Sequence, residues 1–213
     1  MIVKFHYDPP KIIKLIFSNF LWNTKNGEIL LTFDDGPNPG TTEKLLELLK
    51  VNNIKALFFC LGENVSKYPE LCRKIIDDGH TIGNHTFSHK KFSEVSKNEI
   101  IEEIKKINSL LSEKFNYQIK YFRPPYGRFN FATSKIMKEM NLVNVMWSLL
   151  TYDFEGKIEI VKMAVTKYLK NNSIVVFHDS NKTKNLLLDS VKFLIDEVEK
   201  NKYKFGEPEN CLK

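Results

Sequence analysis

Apolar positions along this chain form short continuous runs that alternate with longer stretches of helical periodicity. Runs such as residues 28–33 and 56–61 are apolar almost throughout, which is typical of strands buried on both faces of a sheet. Between the runs, apolar residues recur every three or four positions, most clearly over residues 97–115, and this spacing predicts amphipathic helices. The predicted strands are 28–33, 56–61, 81–83, 120–122, 143–148, 173–178 and 203–205.

The helices predicted between these strands complete a regular alternation. They begin at Thr41 or Thr42 and at residues 64, 97, 132, 158 and 185, and Pro69 interrupts the second of them. About seven strand–helix units with apolar strands indicate an α/β protein whose parallel sheet is covered by helices.

Polar residues at the ends of the predicted strands favour one closed arrangement of that sheet. We expect a single domain with a distorted (β/α)7 TIM-like barrel, because such a barrel gathers its functional residues at the carboxyl ends of its strands. An open doubly wound sheet is the alternative. It would have one crevice at a switch point and would not bring five strand ends together.

The first residues of the chain differ from the rest. Apolar residues at helical spacing over residues 12–22 are interrupted by Lys14, Ser18 and Asn19. We expect residues 1–27 to form an N-terminal segment whose short amphipathic helix docks on a domain of residues 28–213, and membrane-surface contact is the other interpretation. The segment has neither the features of a signal peptide nor the length of a membrane span, which predicts a cytoplasmic or membrane-peripheral protein.

The composition excludes several classes of protein. The 213 residues are 42% hydrophobic and 27% charged, as in an ordinary globular domain. The net charge of +6 is dispersed along the chain, so we expect no nucleic-acid partner. The three cysteines form no CxxC pair and predict buried thiols, not a disulfide or a cysteine metal site. We expect a monomer, and the high Lys, Asn and Ile content indicates a bacterial source.

Two of the five histidines stand in the motif His85-Thr-Phe-Ser-His89. If the motif forms a helical turn, both imidazoles lie on one face of it. Two neutral imidazoles and one carboxylate make a three-ligand catalytic zinc site. Taken alone, the pair is also compatible with two surface histidines.

Asp34-Asp35-Gly36-Pro37 follows the first predicted strand and offers that carboxylate. A solvated turn is the alternative interpretation. Where the chain turns, both carboxylates can reach one cavity, and their like charges repel each other. A metal ion on Asp35 would remove this conflict and leave Asp34 free to act as a base.

Two further motifs follow later strands. In Arg123-Pro-Pro-Tyr-Gly127, the guanidinium can hold a carboxylate bidentately, the prolines stiffen the loop, and the glycine allows close approach to a ligand. His178 ends an apolar strand and is either a core histidine or a catalytic one.

In order and spacing these motifs resemble the polysaccharide deacetylase family, which has the NodB homology domain, is also known as carbohydrate esterase family 4, and includes chitooligosaccharide and peptidoglycan deacetylases. The resemblance covers about residues 28–205. The segments similar to its first, second, third and fifth motifs are Thr32-Phe-Asp-Asp-Gly36, His85-Thr-Phe-Ser-His89, Arg123-Pro-Pro-Tyr-Gly127 and Val176-Phe-His178.

The fourth motif of the family, Asp-x-x-Asp-Trp, is altered here. It reads Leu150-Thr-Tyr-Asp153-Phe154, so that the first Asp is absent and Phe replaces Trp. Phe154 retains an aromatic wall but loses the indole N–H donor. The change bears on substrate choice more than on the reaction.

The resemblance implies a hydrolase of carbohydrate metabolism that removes acetyl groups from N-acetylglucosamine-containing glycans. Asp35, His85 and His89 would bind a divalent metal, zinc or else cobalt or another transition metal, which activates water and polarises the acetyl carbonyl.

The resemblance also implies roles for the other motif residues. Asp34 would act as the general base and His178 as the general acid. The backbone N–H of Tyr126 would help to stabilise the oxyanion. Arg123 would orient Asp34, and Asp153 would hold Arg123 and bias the protonation of His178.

Three other functions remain open on the sequence. Two histidines and one carboxylate also mark non-haem iron(II) oxygenases, although these usually have an antiparallel double sheet. A hydrolase of small cyclic amides on the same fold is the second. A non-catalytic binding protein is the third.

Overall fold

The computed structural model describes residues 6–213, and the fold within them is built on one sheet of seven parallel strands. The strands are β1 (Leu30–Asp34), β2 (Leu57–Cys60), β3 (Thr81–Asn84), β4 (Tyr121–Phe122), β5 (Val143–Asn144), β6 (Leu149–Leu150) and β7 (Ile174–His178). Every residue of β1 and of β2 is buried, as their apolar sequences predict.

The strand order is β5-β4-β3-β2-β1-β7-β6. On one side of β1 lie β2, β3, β4 and β5 in chain order, and on the other side lie β7 and then β6. The order is therefore that of a barrel in which consecutive strands are neighbours, with β7 next to β1. A doubly wound sheet would reverse direction at a switch point, and this order contains no such reversal. The predicted distorted (β/α)7 barrel is therefore confirmed, as a curled half-barrel that is open between β5 and β6.

The N-terminal segment lies along that opening. Leu21 forms a parallel bridge with Val145, its N–H donates to the Asn144 carbonyl at 2.8 Å, and its carbonyl accepts from the Met146 N–H at 2.8 Å. The Leu150 N–H donates to the Tyr7 carbonyl, also at 2.8 Å. Backbone groups that have no neighbouring strand are thereby satisfied. A domain boundary at residue 28 stays a prediction.

Two predicted strands are wrong. Residues 143–148 do not form one strand, because the carbonyls of Val145 and Met146 accept hydrogen bonds from the Arg123 side chain and the chain leaves the ladder. Residues 203–205 contribute only an isolated bridge between Phe205 and Ile29. The pairing is short because Pro208 already begins the last helix.

The helices surround the sheet close to their predicted positions. They are α1 (Lys11–Ile16), α2 (Thr42–Val51), α3 (Gly62–Lys67), α4 (Pro69–Asp77), α5 (Lys97–Phe115), α6 (Phe131–Glu139), α7 (Ile158–Tyr168), α8 (Leu187–Lys200) and α9 (Pro208–Cys211). The predicted break at Pro69 separates α3 from α4. A capping box of Ser96 and Glu99 starts α5.

Helix α1 is less buried than the residues that follow it. Ile12, Leu15 and Ile16 are 60%, 72% and 49% exposed, whereas Phe17 and Phe20 are buried. The segment is thus anchored mainly by buried aromatic residues outside α1, namely Tyr7, Phe17, Phe20 and Trp22. Within residues 6–213, no helix combines the length and the apolar character needed to cross a membrane. Contact with a membrane surface stays a prediction.

All three cysteines, Cys60, Cys72 and Cys211, are buried free thiols, as predicted. Burial raises the pKa of Cys72 to about 12. These thiols are therefore protonated at neutral pH, and they serve as small core residues.

Candidate active site

The carboxyl ends of the parallel strands surround a cavity of about 760 Å³. Loops after β1, β3, β4, β6 and β7 bring the predicted site residues to it, as the barrel arrangement requires. Seven of them line the cavity: Asp34, Asp35, His85, His89, Tyr126, Phe154 and His178. The other two, Arg123 and Asp153, have no exposed surface and contact the lining residues from behind.

Asp35, His85 and His89 form a cluster of groups that can bind a metal, with their ligand atoms within 4.8 Å of one another. Asp35 Oδ1 lies 3.6 Å from His85 Nε2 and 3.4 Å from His89 Nε2. In a tetrahedral zinc site with bonds of about 2.0–2.2 Å, ligand atoms are about 3.3–3.5 Å apart. The spacing of these three atoms therefore suits a zinc-like ion.

Two further observations support this fit. Asp35 Oδ1 is buried and accepts no hydrogen bond from the described residues. His85 Nδ1 lies 2.8 Å from the Arg123 carbonyl, which can only accept, so Nδ1 carries the proton and Nε2 presents a lone pair to the cluster. Burial and the neighbouring His85 lower the pKa of His89, which keeps its imidazole neutral and able to coordinate.

The predicted helical turn at His85–His89 is wrong, although the imidazoles do meet, with their ring centres 5.0 Å apart. The motif is a loop in which Thr86 and His89 have positive φ values of 70° and 57°. Glu103 of α5 holds this loop by accepting hydrogen bonds from Ser88 N at 2.7 Å and Ser88 Oγ at 2.8 Å. The histidines therefore converge through loop geometry and support from α5.

Asp34 is ion-paired with the buried Arg123. Nη1 of Arg123 donates to Asp34 Oδ1 at 2.7 Å and to Thr32 Oγ1 at 2.8 Å. Its Nε and Nη2 donate to the Val145 and Met146 carbonyls at 2.9 and 2.8 Å. The guanidinium thus contacts one carboxylate oxygen and is not bidentate, contrary to expectation. Burial by itself would raise the pKa of Asp34, but Arg123, together with smaller contributions from His85 and His178, outweighs it and the pKa is lowered.

Asp153 pairs with His178, and the expectation that it holds Arg123 is wrong. Its Oδ1 lies 2.8 Å from His178 Nδ1, and its Oδ2 accepts from the His178 backbone N–H at 2.7 Å. Burial lowers the pKa of His178, but Asp153, with smaller contributions from Asp35 and Asp34, raises it to about 9. His178 is therefore an imidazolium at neutral pH, with Nε2 free of Asp153.

Tyr126 and Gly127 form a tight turn beside the candidate metal ligands. Tyr126 has φ 57°, and its ring lies 4.5 Å from the His89 ring. Gly127 has φ +61°, and a Cβ there would lie 2.1 Å from the Trp147 ring. The glycine therefore permits packing against Trp147 within the protein, whereas the sequence suggested close approach to a ligand.

The altered fourth motif places apolar groups at the cavity. Leu150 lines the wall in place of the first Asp of the family pattern. The Phe154 ring meets the His178 ring edge-on, with centres 5.1 Å apart and planes at 90°. The predicted aromatic wall is present, and it packs on the imidazole.

Sequence reasoning missed two supporting residues, Glu103 and Asp179. Asp179 is fully buried and accepts hydrogen bonds from the hydroxyls of Thr41 and Thr42, which ties the end of β7 to the start of α2. Burial raises the pKa of Asp179 to about 6. Its position next to His178 in the sequence indicated a place near the site. Its partners, Thr41 and Thr42, lie far away in the chain and could not be identified from that position. Glu103 is indistinguishable in sequence from the surface glutamates of α5.

This chain is similar to known proteins in family, sequence and structure. The sequence profile of the polysaccharide deacetylase family matches residues 22–145. A peptidoglycan-N-acetylglucosamine deacetylase of Bacillus cereus is 43% identical over 129 residues, which is 61% of this chain and 47% of that protein. A second B. cereus protein of the same name is 32% identical over 189 residues, covering 86% of this chain and 88% of its own length.

A solved structure extends the likeness to the whole fold. It is that of a peptidoglycan N-acetylglucosamine deacetylase in complex with 4-naphthalen-1-yl-N-oxidanyl-benzamide, with a TM-score of 0.88 and 29% identity, covering 96% of this chain and 97% of the other. The chain spans about half the length of the first B. cereus relative.

Proposed function

This chain belongs to the polysaccharide deacetylase family, and on that basis we propose that it hydrolyses the N-acetyl groups of N-acetylglucosamine units in a glycan. The products are acetate and a free amine. Relatives named as peptidoglycan deacetylases favour a peptidoglycan strand over a chitooligosaccharide as the substrate.

One observation carries the proposal. The ligand atoms of Asp35, His85 and His89 converge at the floor of a cavity, with the ionised Asp34 and the protonated His178 both facing the same space. Amide hydrolysis needs a base that takes a proton from water and an acid that gives a proton to the departing amine. This site offers both groups at one place.

Asp35, His85 and His89 would hold the divalent ion, for which zinc is the best match to this ligand set. When bound, the ion supplies Lewis-acid activation of the attacking water and of the acetyl carbonyl. Asp34 accepts the proton of the water, and Arg123 holds that carboxylate in place. The backbone N–H of Tyr126 donates to the oxygen that gains negative charge.

His178 completes the reaction by donating a proton from Nε2 to the amine as the C–N bond breaks. Asp153 keeps the imidazole charged and fixes its orientation through Nδ1 and the backbone N–H. Water supplies the oxygen gained by acetate. Asp34 then releases the proton it took from water and His178 takes one up, so that one water molecule is divided between acetate and the amine. The fully buried Asp153 needs no contact with substrate for this role.

The test is acetate release from peptidoglycan and from N-acetylglucosamine oligomers. Metal-stripped protein should be inactive, and zinc or cobalt should restore release. His85→Ala and His89→Ala should lose both bound metal and turnover, whereas Asp34→Ala should lose turnover and still bind metal. Asp189→Asn, on the exposed face of α8, is the matched control. If the folded, zinc-loaded protein releases no acetate from any glycan, the proposal is contradicted. That result would favour the alternative function, hydrolysis of small cyclic amides.

A further inference from the structure

Two lysines line the cavity on either side of its central loop. Lys67 ends α3, after β2, and Lys182 lies in the loop between β7 and α8. Because β2 and β7 both pair with β1, the loop after β1 (residues 37–40) stands between these two positions. The lysines thus reach one cavity from opposite flanks.

Neither lysine is neutralised by the protein. Among residues 6–213, neither Lys67 nor Lys182 forms an ion pair with a carboxylate, and Lys67 Nζ lies 5.2 Å from the Tyr68 ring centre. The acidic residues that line the cavity are Asp34, already paired with Arg123, and Asp35, a member of the metal cluster. The walls of the cavity therefore carry positive charge that no carboxylate within residues 6–213 neutralises.

The surroundings of the two lysines are organised to face a polar ligand. Asn64 Nδ2 donates to the Asp35 carbonyl at 2.7 Å, which fixes α3 against the metal loop. Asn38 Nδ2 donates to Asn181 Oδ1 at 3.3 Å, which fixes the loop that carries Lys182. The two ammonium groups are thereby presented from loops that are themselves held in place.

We propose that Lys67 and Lys182 bind a carboxylate carried by the glycan beside the sugar that is deacetylated. The inference rests on the proposed deacetylase function and names the substrate class more closely: an anionic glycan, not a neutral one. Such a carboxylate can belong to a lactyl ether on the neighbouring sugar or to a peptide attached through it. A neutral N-acetylglucosamine homopolymer offers these lysines no counter-charge.

The experiment compares glycans of matched length that differ in charge, using zinc-loaded full-length protein. The first carries free lactyl carboxylates and no peptide, the second is the same glycan with those carboxylates reduced to alcohols, and the third is an N-acetylglucosamine oligomer. A fourth carries peptides, whose carboxylates replace the lactyl ones. For each glycan, kcat/KM is measured by acetate release and Kd by calorimetry, at low and high salt.

We expect the carboxylate glycans to be preferred, and the preference to shrink at high salt because the lysines are exposed. For those glycans, each of Lys67→Gln and Lys182→Gln should lower kcat/KM about two- to five-fold, the range for exposed ion pairs. The reduced glycan should respond to neither substitution. Lys184→Gln is the matched control, since Lys184 is exposed in the same loop and does not line the cavity.

Equal kcat/KM for the free and the reduced glycan, together with no effect of either lysine substitution on the peptide-bearing glycan, would overturn the inference while leaving deacetylation intact. The same holds if the double variant, Lys67→Gln with Lys182→Gln, loses activity equally on the free and the reduced glycan. A lysine effect on peptide-bearing strands alone would support it and assign the carboxylate to the peptide. If no glycan releases acetate but carboxylate-dependent binding is lost in the double variant, the deacetylase proposal fails and the recognition site stands.

Discussion

Replacing Asp153 with asparagine removes the charge that keeps His178 protonated. The two side chains meet at 2.8 Å, and Asp153 has no exposed surface. Burial lowers the pKa of His178, so its value of about 9, against an ordinary 6.5, depends on Asp153 first and on Asp35 and Asp34 second. A hydrogen bond to a charged group contributes about 1.5–3 kcal/mol, and one pKa unit corresponds to about 1.36 kcal/mol. We therefore expect the pKa of His178 to fall by about one to two units.

The assay is the pH dependence of kcat/KM for acetate release, which reports the ionisation of the free enzyme. His178 acts in its protonated form, so activity is lost as the pH rises through its pKa. In Asp153→Asn, the alkaline limb should move to lower pH by the same one to two units, with most activity retained on the acidic side of it. Asp189→Asn is the control. An alkaline limb that stays in place would refute the assignment of Asp153 and His178 as an acid pair.

Three other substitutions test the support of the site. Glu103→Gln should weaken zinc binding about 10-fold or more, because it loosens the loop that Ser88 anchors to α5. An unchanged zinc affinity, measured by competition with a chelator, would contradict the role of Glu103 in holding that loop. Arg123→Met should lower the free energy of unfolding, measured in urea, by about 3–5 kcal/mol, because the buried carboxylate of Asp34 loses its partner. A loss of under about 1 kcal/mol, the range for a surface ion pair, would show that the Arg123–Asp34 pair is not needed for stability. Gly127→Ala should lower stability by about 1–3 kcal/mol through the clash with Trp147, and an unchanged melting temperature would contradict it.

Strand position is predictable from this sequence where a strand is buried on both faces. The apolar runs around β1, β2 and β7 contain almost no polar residues, so they identify those strands within about two residues. The stretch 143–148 is equally apolar but holds only the two-residue β5, and β6 begins just after it. The hydrophobicity of a segment indicates whether it is buried. It does not indicate whether the backbone carbonyls of that segment accept hydrogen bonds from a side chain or from a neighbouring strand.

The chemistry of the site is predictable by residue type but not by pairing. A carboxylate and two imidazoles at strand ends identify the metal cluster, because few other roles need those groups there. The partner of Asp153 depends on where two loops meet: the resemblance implied that it holds Arg123 and biases the protonation of His178, and the structure pairs it with His178. The spacing of His85 and His89 suggested a helical turn, yet a loop with two left-handed residues brings the same imidazoles together.

The opening of the barrel and the charge arrangement of the site meet at Arg123. Arg123 is fully buried and needs acceptors for Nε and Nη2, which it finds in the carbonyls of Val145 and Met146. In a closed barrel these carbonyls would accept hydrogen bonds from a neighbouring strand. The guanidinium N–H groups would then be buried without acceptors, which would lower stability by about 1–3 kcal/mol each or more. The chain instead breaks between β5 and β6, and Leu21 pairs with the backbone left at the gap. Arg123 therefore holds Asp34 while bonding carbonyls beside the gap of the barrel, and the N-terminal segment pairs with the backbone at the same place.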